Sequence, residues 1–280
     1  GRAIWQWGHN GGFRAYLLAY PDRRDAFVYF TNGDGGLSIG RDVLGRVGEV
    51  AGWPADEHHA LTWLDYEPWD SPARVARRRL VAAFRDDGVE DGMALFEELR
   101  ADDADLVSDP FTAGVGRALG GMGETDAAIA LLERNAELNT RGGNSLSVLG
   151  DVQLEAGLYH DALESYERAL EIRPGHPIVT RARGWTAEAV AALDDPPTLS
   201  GDPARFAGDY GPRHVTLEDG TLRYQRDGNP PYRLHPIDET TWLLDGLGTF
   251  RVRFVEEGGA VTKIEGLYVD GNSDETPRTP

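Results

Sequence analysis

Apolar and polar positions along this chain follow two different periods, and the period changes twice. Two short apolar and aromatic runs, Tyr16 to Tyr20 and Phe27 to Phe30, flank the charged joint Asp22-Arg23-Arg24-Asp25. That arrangement predicts a pair of strands joined by a turn. Ser38 to Ala51 is helical in character and closes the segment ahead of Trp53-Pro54. At Ser71-Pro72 a capping hydroxyl is followed by a proline suited to a first helical turn. From there the pattern is helical up to Asp195-Pro196-Pro197. Beyond it, six short alternating runs (213–217, 221–224, 232–234, 241–244, 250–254 and 261–265) are separated by turn residues such as Glu218-Asp219-Gly220 and Asp227-Gly228-Asn229. Short, evenly spaced strands of this kind predict a small antiparallel barrel or curled sheet.

The helical stretch repeats itself. Counting from Gly143, position 4 is Leu146, 7 is Leu149, 8 is Gly150, 15 is Gly157, 20 is Ala162, 24 is Tyr166, 27 is Ala169 and 32 is Pro174. This resembles a tetratricopeptide repeat, with Gln153 where an aromatic residue is usual. One period of 34 residues earlier stand Gly116, Leu119, Gly123, Ala128 and Leu132, the same pattern in weaker form. The small residues let paired helices approach, and the bulky one fills the gap between repeats. An earlier hairpin, Ala73 to Phe84 and Val89 to Leu99, is out of register by about one residue. Ile178 to Leu193 reads as the extra helix that caps such arrays, with Arg181, Arg183 and Glu188 as its polar surface.

The first fifty residues carry a second resemblance. His9-Asn10-Gly11, then Gly12-Phe13-Arg14, the paired strands, Thr31-Asn32-Gly33-Asp34 and a terminal helix resemble the C-terminal end of the serine β-lactamase and penicillin-binding-protein-like family, nearest its class C-related branch. In that family a Lys/His-x-Gly strand faces a serine in Ser-x-x-Lys and a Tyr-x-Asn element. The resemblance implies acyl transfer on a β-lactam, a D-amino-acid peptide or an ester. It gives His9, Asn10 and Gly11 a substrate-binding role as one wall of the cleft; an alternative register places Gln6-Trp7-Gly8 in the motif. It also implies a periplasmic or extracellular location. The nucleophile is not in this sequence. Its single lysine, Lys263, has Ala260 three residues before it, and no tyrosine is followed two positions later by asparagine. No catalytic residue is therefore assigned, and the expectation is the C-terminal part of a longer hydrolase. Phe206-Ala207-Gly208-Asp209-Tyr210, Leu234-x-Pro236 and Phe250-x-Val252-x-Phe254 resemble the lipocalin-like domain appended to many such hydrolases.

The expected fold class is multidomain α+β. Residues 1–54 form a fragment of a β-lactamase-like α/β domain and 55–71 a linker. Residues 72–195 are tetratricopeptide-like hairpins, 196–270 the lipocalin-like β domain and 271–280 a tail. The rival function is a non-catalytic protein-interaction module using the repeats. A small-molecule site in the β domain ranks lower, because Leu222, Tyr224, Trp242, Phe250, Val252 and Phe254 would fill its interior.

Charge sharpens this picture. The net charge of −19 divides as about +1 over 1–54, −15 over 55–195 and −5 over 196–280. An acidic helical region repels polyanions, so nucleic acid is not an expected partner. There is no cysteine, hence neither disulfide nor thiolate site. No apolar run approaches the ~18 residues of a membrane span. No cofactor or metal is implied. His58-His59 beside Asp56-Glu57 lacks a third ligand at helical spacing, and Asp270 to Glu275 lacks the glycine and the final glutamate of a calcium loop. Gly114-x-Gly116-x-x-x-Gly120 misses the dinucleotide fingerprint and follows no strand.

Overall fold

The computed structural model describes residues 3–10, 13–53 and 71–279. The chain divides into two compact units, 1–79 and 80–280, and each is treated by itself.

In the first unit, β1 (Ile4–Asn10), β2 (Phe13–Tyr20) and β3 (Asp25–Thr31) form an antiparallel sheet in the order β1-β2-β3. Alternation along β2 buries Tyr16, Leu18 and Tyr20 on one face. A 3-10 turn (Asp34–Ile39) and α1 (Gly40–Ala51) cover that face through Leu37 and Leu44. Gly52 ends α1 in the left-handed region (φ 62°), where glycine has no Cβ penalty. Trp53 then packs edge-on against Tyr20 with centroids 5.1 Å apart, and its Nε1 donates to Asp25 Oδ2 at 3.4 Å.

The helical series begins with α2 (Pro72–Ala82), in which the first unit ends, and Ser71 Oγ accepts from the Arg74 amide at 3.2 Å. A π-type turn over Ala83–Asp87 leads to α3 (Val89–Asp102). Such a turn inserts one residue into a helix, which accounts for the one-residue offset of this hairpin. Two regular hairpins follow: α4 (Asp109–Gly121) with α5 (Thr125–Leu138), and α6 (Gly143–Glu155) with α7 (Tyr159–Ile172). Gly123 (φ 85°) and Gly157 (φ 75°) occupy equivalent turns and need a left-handed backbone. The small positions work as close approaches. A Cβ on Gly116 would lie 2.6 Å from Leu132, and one on Gly150 would lie 2.6 Å from the Tyr166 ring. Gln153, buried where an aromatic residue is usual, accepts from Ser165 Oγ at 2.7 Å.

The last helix, α8 (Pro177–Asp194), is not a free polar cap. Arg181 donates to the Asp270 carbonyl, Arg183 pairs with Glu167, and Glu188 holds Arg251 at 2.7 Å. Trp185 Nε1 donates to Gly248 O at 2.7 Å, and the buried Arg251 guanidinium lies 3.9 Å from the Trp185 ring centroid. Helices and sheet thus share a core across the expected boundary at 195, with Leu243 buried among residues of α6, α7 and α8.

Eight antiparallel strands, β4 (Gly208–Tyr210), β5 (Arg213–Glu218), β6 (Thr221–Arg226), β7 (Tyr232–Pro236), β8 (Thr241–Leu244), β9 (Leu247–Glu257), β10 (Ala260–Tyr268) and β11 (Ser273–Pro277), run in sequence order as a meander. The expected tail is therefore part of the sheet: β11 pairs with β10, for example Glu265 with Glu275. It also brings the two sheet edges together. Asp274 pairs at 2.6 Å with Arg213 of β5, which is 1% exposed, and the Thr279 amide donates to Asp209 O of β4 at 2.8 Å. Arg278 donates to the carbonyls of Arg205 (3.1 Å) and Ala207 (2.5 Å). Curling the sheet in this way satisfies edge groups that would otherwise be open to other chains. Phe206, Tyr210, Trp242, Val252 and Phe254 fill the interior, with Phe206 stacked on Phe254 at 4.4 Å.

Candidate functional site

The first helices of successive hairpins, α4 and α6, together with α8, line a groove of about 350 Å³. Its walls repeat with the period of the sequence. Pro110, Asn144 and Ile178 are 34 residues apart, as are Gly114 and Val148, and Arg117 and Asp151. Equivalent positions of stacked repeats face the same way, so one row from each helix makes a continuous concave surface.

A buried polar network fixes α6 against α4. Asp109 Oδ2 accepts from the Asn144 amide (3.0 Å) and Asn144 Nδ2 (2.9 Å); Oδ1 accepts from the Ser145 amide (3.1 Å) and Asn135 Nδ2 (3.0 Å). A carboxylate from one hairpin thereby caps the helix opening the next. Gly142 makes this possible, since a Cβ there would lie 2.5 Å from Asp109 Cγ.

The groove wall carries both charge and apolar surface. Arg173 Nη1 donates to Asn144 Oδ1 at 3.0 Å, and Arg117 stands 3.9 Å from Asp151. Tyr166 donates its hydroxyl to Asp151 Oδ1 at 2.9 Å. Burial pushes the Asp151 carboxyl above the usual carboxylate range, and burial together with the Asp151 charge does the same for Glu155. The Tyr166 hydroxyl is pushed up by burial and by the neighbouring carboxylates. Ile178 is 71% exposed beside these polar groups. A second cavity of about 290 Å³ adjoins through Arg117, Val148 and Asp151 and reaches Thr249 and Val269 of the β region. Exposed apolar surface with fixed donors and acceptors suits an extended polypeptide, whose backbone needs hydrogen bonds and whose side chains need pockets.

The residues singled out from the sequence lie elsewhere. His9 and Asn10 end β1 and pair with Arg14 and Phe13 of β2, while Gly11 lies outside the described residues. Paired glycines between strands are common hairpin chemistry in unrelated proteins, so the string Asn10-Gly11-Gly12-Phe13 has little specificity for a cleft motif. The stretch 55–71, with Asp56, Glu57, His58 and His59, lies outside the described residues except for Ser71. At the other candidate cation loop, Asp270 Oδ1 accepts from the Asn272 amide, Asp274 pairs with Arg213, and Glu275 pairs with Lys263 at 2.5 Å. Gly114, Gly116 and Gly120 fall within α4 and serve groove and packing. Arg117, Asn144, Asp151, Arg173 and Ile178 were not singled out, although the 34-residue recurrence that locates most of them was in the sequence.

Comparisons agree with the helical part. Residues 116–177 and 148–197 match the tetratricopeptide repeat family. No curated protein matches. Among solved structures, a point mutant of MamA is 26% identical over 45% of this chain and 90% of that one, with a TM-score of 0.35. "MamA MSR-1 C2" is 23% identical over 58% and 91%, with a TM-score of 0.31. The tetratricopeptide match corrects the β-lactamase-like reading of the chain. That match is to a helical repeat over residues 116–197 and lends no support to acyl transfer. The fold class is multidomain α+β with eight described α-helices and a curled antiparallel sheet. No comparison supports its β-lactamase-like component, and the cleft-wall role of His9, Asn10 and Gly11 loses the family that implied it. Among the described residues no helix is long and apolar enough to cross a membrane.

Proposed function

We propose that the chain is a protein-interaction module that holds an extended segment of a partner protein along the concave face of α4, α6 and α8. The observation that carries this reading is the recurrence of lining positions at the repeat period, Pro110, Asn144 and Ile178 above all. Arg173 holds the Asn144 side-chain oxygen, which leaves the amide hydrogens for Asp109 and for a bound backbone. Ile178 and Val148 supply apolar contact, and Arg117 and Asp151 supply charges of both signs. The β region stiffens the end of the array through Trp185, Arg251 and Gly248. Residues 72–195 thus form the recognition part and the β region its support, with β11 included.

Selection of a random dodecapeptide display library on the full chain tests this, with counter-selection on Ile178→Asp. Enriched peptides should share a motif and bind the parent chain at least about tenfold more tightly than the variant, since a buried aliphatic contact is worth about 1.5–3 kcal/mol. Failure to enrich a motif, or peptides indifferent to Ile178→Asp, would overturn the proposal.

A further inference from the structure

One end of the curled sheet is open. Tyr224 of β6, Tyr232 of β7, Leu247 and Phe250 of β9 and Tyr268 of β10 surround a cavity of about 290 Å³. The interior beyond it is packed, but the six inward residues named from the sequence do not close this mouth. Tyr224 and Tyr232 are cross-strand partners, as are Phe250 and Tyr268. The rings meet at open angles: Phe250 and Tyr268 have centroids 5.1 Å apart at 54°, and Tyr224 and Phe250 5.9 Å apart at 50°. Tilted rings around a void leave both faces and edges for a flat guest.

Charge selects the kind of guest. The one charged residue lining the cavity is Arg226, whose guanidinium has no ion-pair partner among the described residues. The neighbouring acid is engaged elsewhere, because Asp227 accepts from His214 at 2.9 Å. Arg213, buried nearby, is already neutralised by Asp274. Asn229 and Thr249 add polar groups at the rim, and the Asn229 amide is held by Arg226 O at 2.9 Å. In a chain of net charge −19, an aromatic cup whose sole rim charge is positive is a local exception.

We propose that this mouth is a binding site for a small planar aromatic anion of one or two rings, the ring lying among Tyr232, Phe250 and Tyr268 and the anionic group at Arg226. The volume of about 290 Å³ is near the lower end for small-molecule sites and matches a guest of one or two rings. The site is separate from the repeat groove and does not depend on a peptide being bound there.

Calorimetric titration of the full chain with three probes of one shape tests it: 1-naphthoate, neutral 1-naphthylmethanol and cationic 1-naphthylmethylammonium. Naphthoate should bind with one-to-one stoichiometry, at least about tenfold more tightly than either analogue, because only the carboxylate can accept a charge-assisted hydrogen bond from Arg226. Arg226→Gln, at an exposed position where folding is not at stake, should bring naphthoate down to the level of the alcohol and leave the alcohol unchanged. Tyr232→Ala should weaken both, with thermal unfolding confirming that the variant is folded. Ile178→Asp should leave naphthoate binding intact, which separates this site from the groove. Absence of saturable binding, a cation bound as well as the anion, or indifference to Arg226→Gln would each overturn the proposal.

Discussion

Asp109 is the residue on which the groove's geometry most depends, and its replacement by alanine gives a sharp test. The carboxylate is 8% exposed and accepts four hydrogen bonds, two of them from the main-chain amides of Asn144 and Ser145 at the start of α6. Loss of a capping side chain costs about 1 kcal/mol, within a range of about 0.5–2. A buried amide left without an acceptor adds about 1–3 kcal/mol. Ser145 is fully buried, so its amide meets that cost; Asn144 is partly exposed, so water can replace its acceptor. Asn135 keeps its bond to Ser145 Oγ at 2.7 Å. These terms overlap, and the expected loss is about 2–4 kcal/mol. Asp109→Asn retains one acceptor oxygen but turns an NH₂ toward the other donors, so it should fall between parent and alanine. Urea unfolding followed by circular dichroism gives the free energies, and hydrogen exchange at Asn144 and Ser145 shows whether the first turn of α6 opens. An alanine variant that loses less than about 0.5 kcal/mol, with unchanged protection of those two amides, would refute the argument that this network fixes α6.

Three further outcomes follow from other contacts. Gly248→Ala would push its Cβ into the Leu154 carbonyl oxygen, where α6 meets β9; overpacking of this kind costs about 1–3 kcal/mol, and differential scanning calorimetry should show a lower Tm. His214 donates through Nδ1 to Asp209 (2.7 Å) and through Nε2 to Asp227 (2.9 Å), and those hydrogen bonds raise its pKa above the ordinary histidine value. Its stabilising contribution is therefore fully present below the unfolded-state pKa and is lost as pH rises through the raised folded value. Unfolding curves across that interval should slope downward with pH in the parent and lose that component in His214→Gln. Removal of residues 278–280 would delete the Arg278 bonds to Arg205 O and Ala207 O and the Thr279 amide bond to Asp209 O. The expected loss is about 2–4 kcal/mol, measurable by urea unfolding, and a truncated chain as stable as the parent would remove the role assigned to this clasp.

The elements visible in the sequence are those whose side chains repeat at a fixed spacing. Gly150 beneath Tyr166 and Gly116 beneath Leu132 are 34 residues apart because the same contact is built twice, so one register predicts the other. The curled sheet was legible from alternation and turns for a related reason: each strand buries every second residue. What could not be seen are contacts made once, between residues far apart in the chain. Arg213 and Asp274 are 61 residues apart, and nothing local distinguishes their pairing from two solvated charges, so 271–280 looked like a tail. Arg251 reads as an outward residue of β9 until Trp185 and Glu188 of α8 cover it. The hydrolase reading failed in the opposite way. His9-Asn10-Gly11-Gly12-Phe13 is a short string whose glycines serve a hairpin in many unrelated proteins, and a motif of three residues has little power without the partners that would face it. A repeat carries its own test, because a match at 143–174 obliges a match one period away, and Gly116, Gly123 and Leu132 meet that obligation. The same period also builds the candidate groove, since Asn144 and Ile178 line it as a consequence of occupying one position in successive repeats.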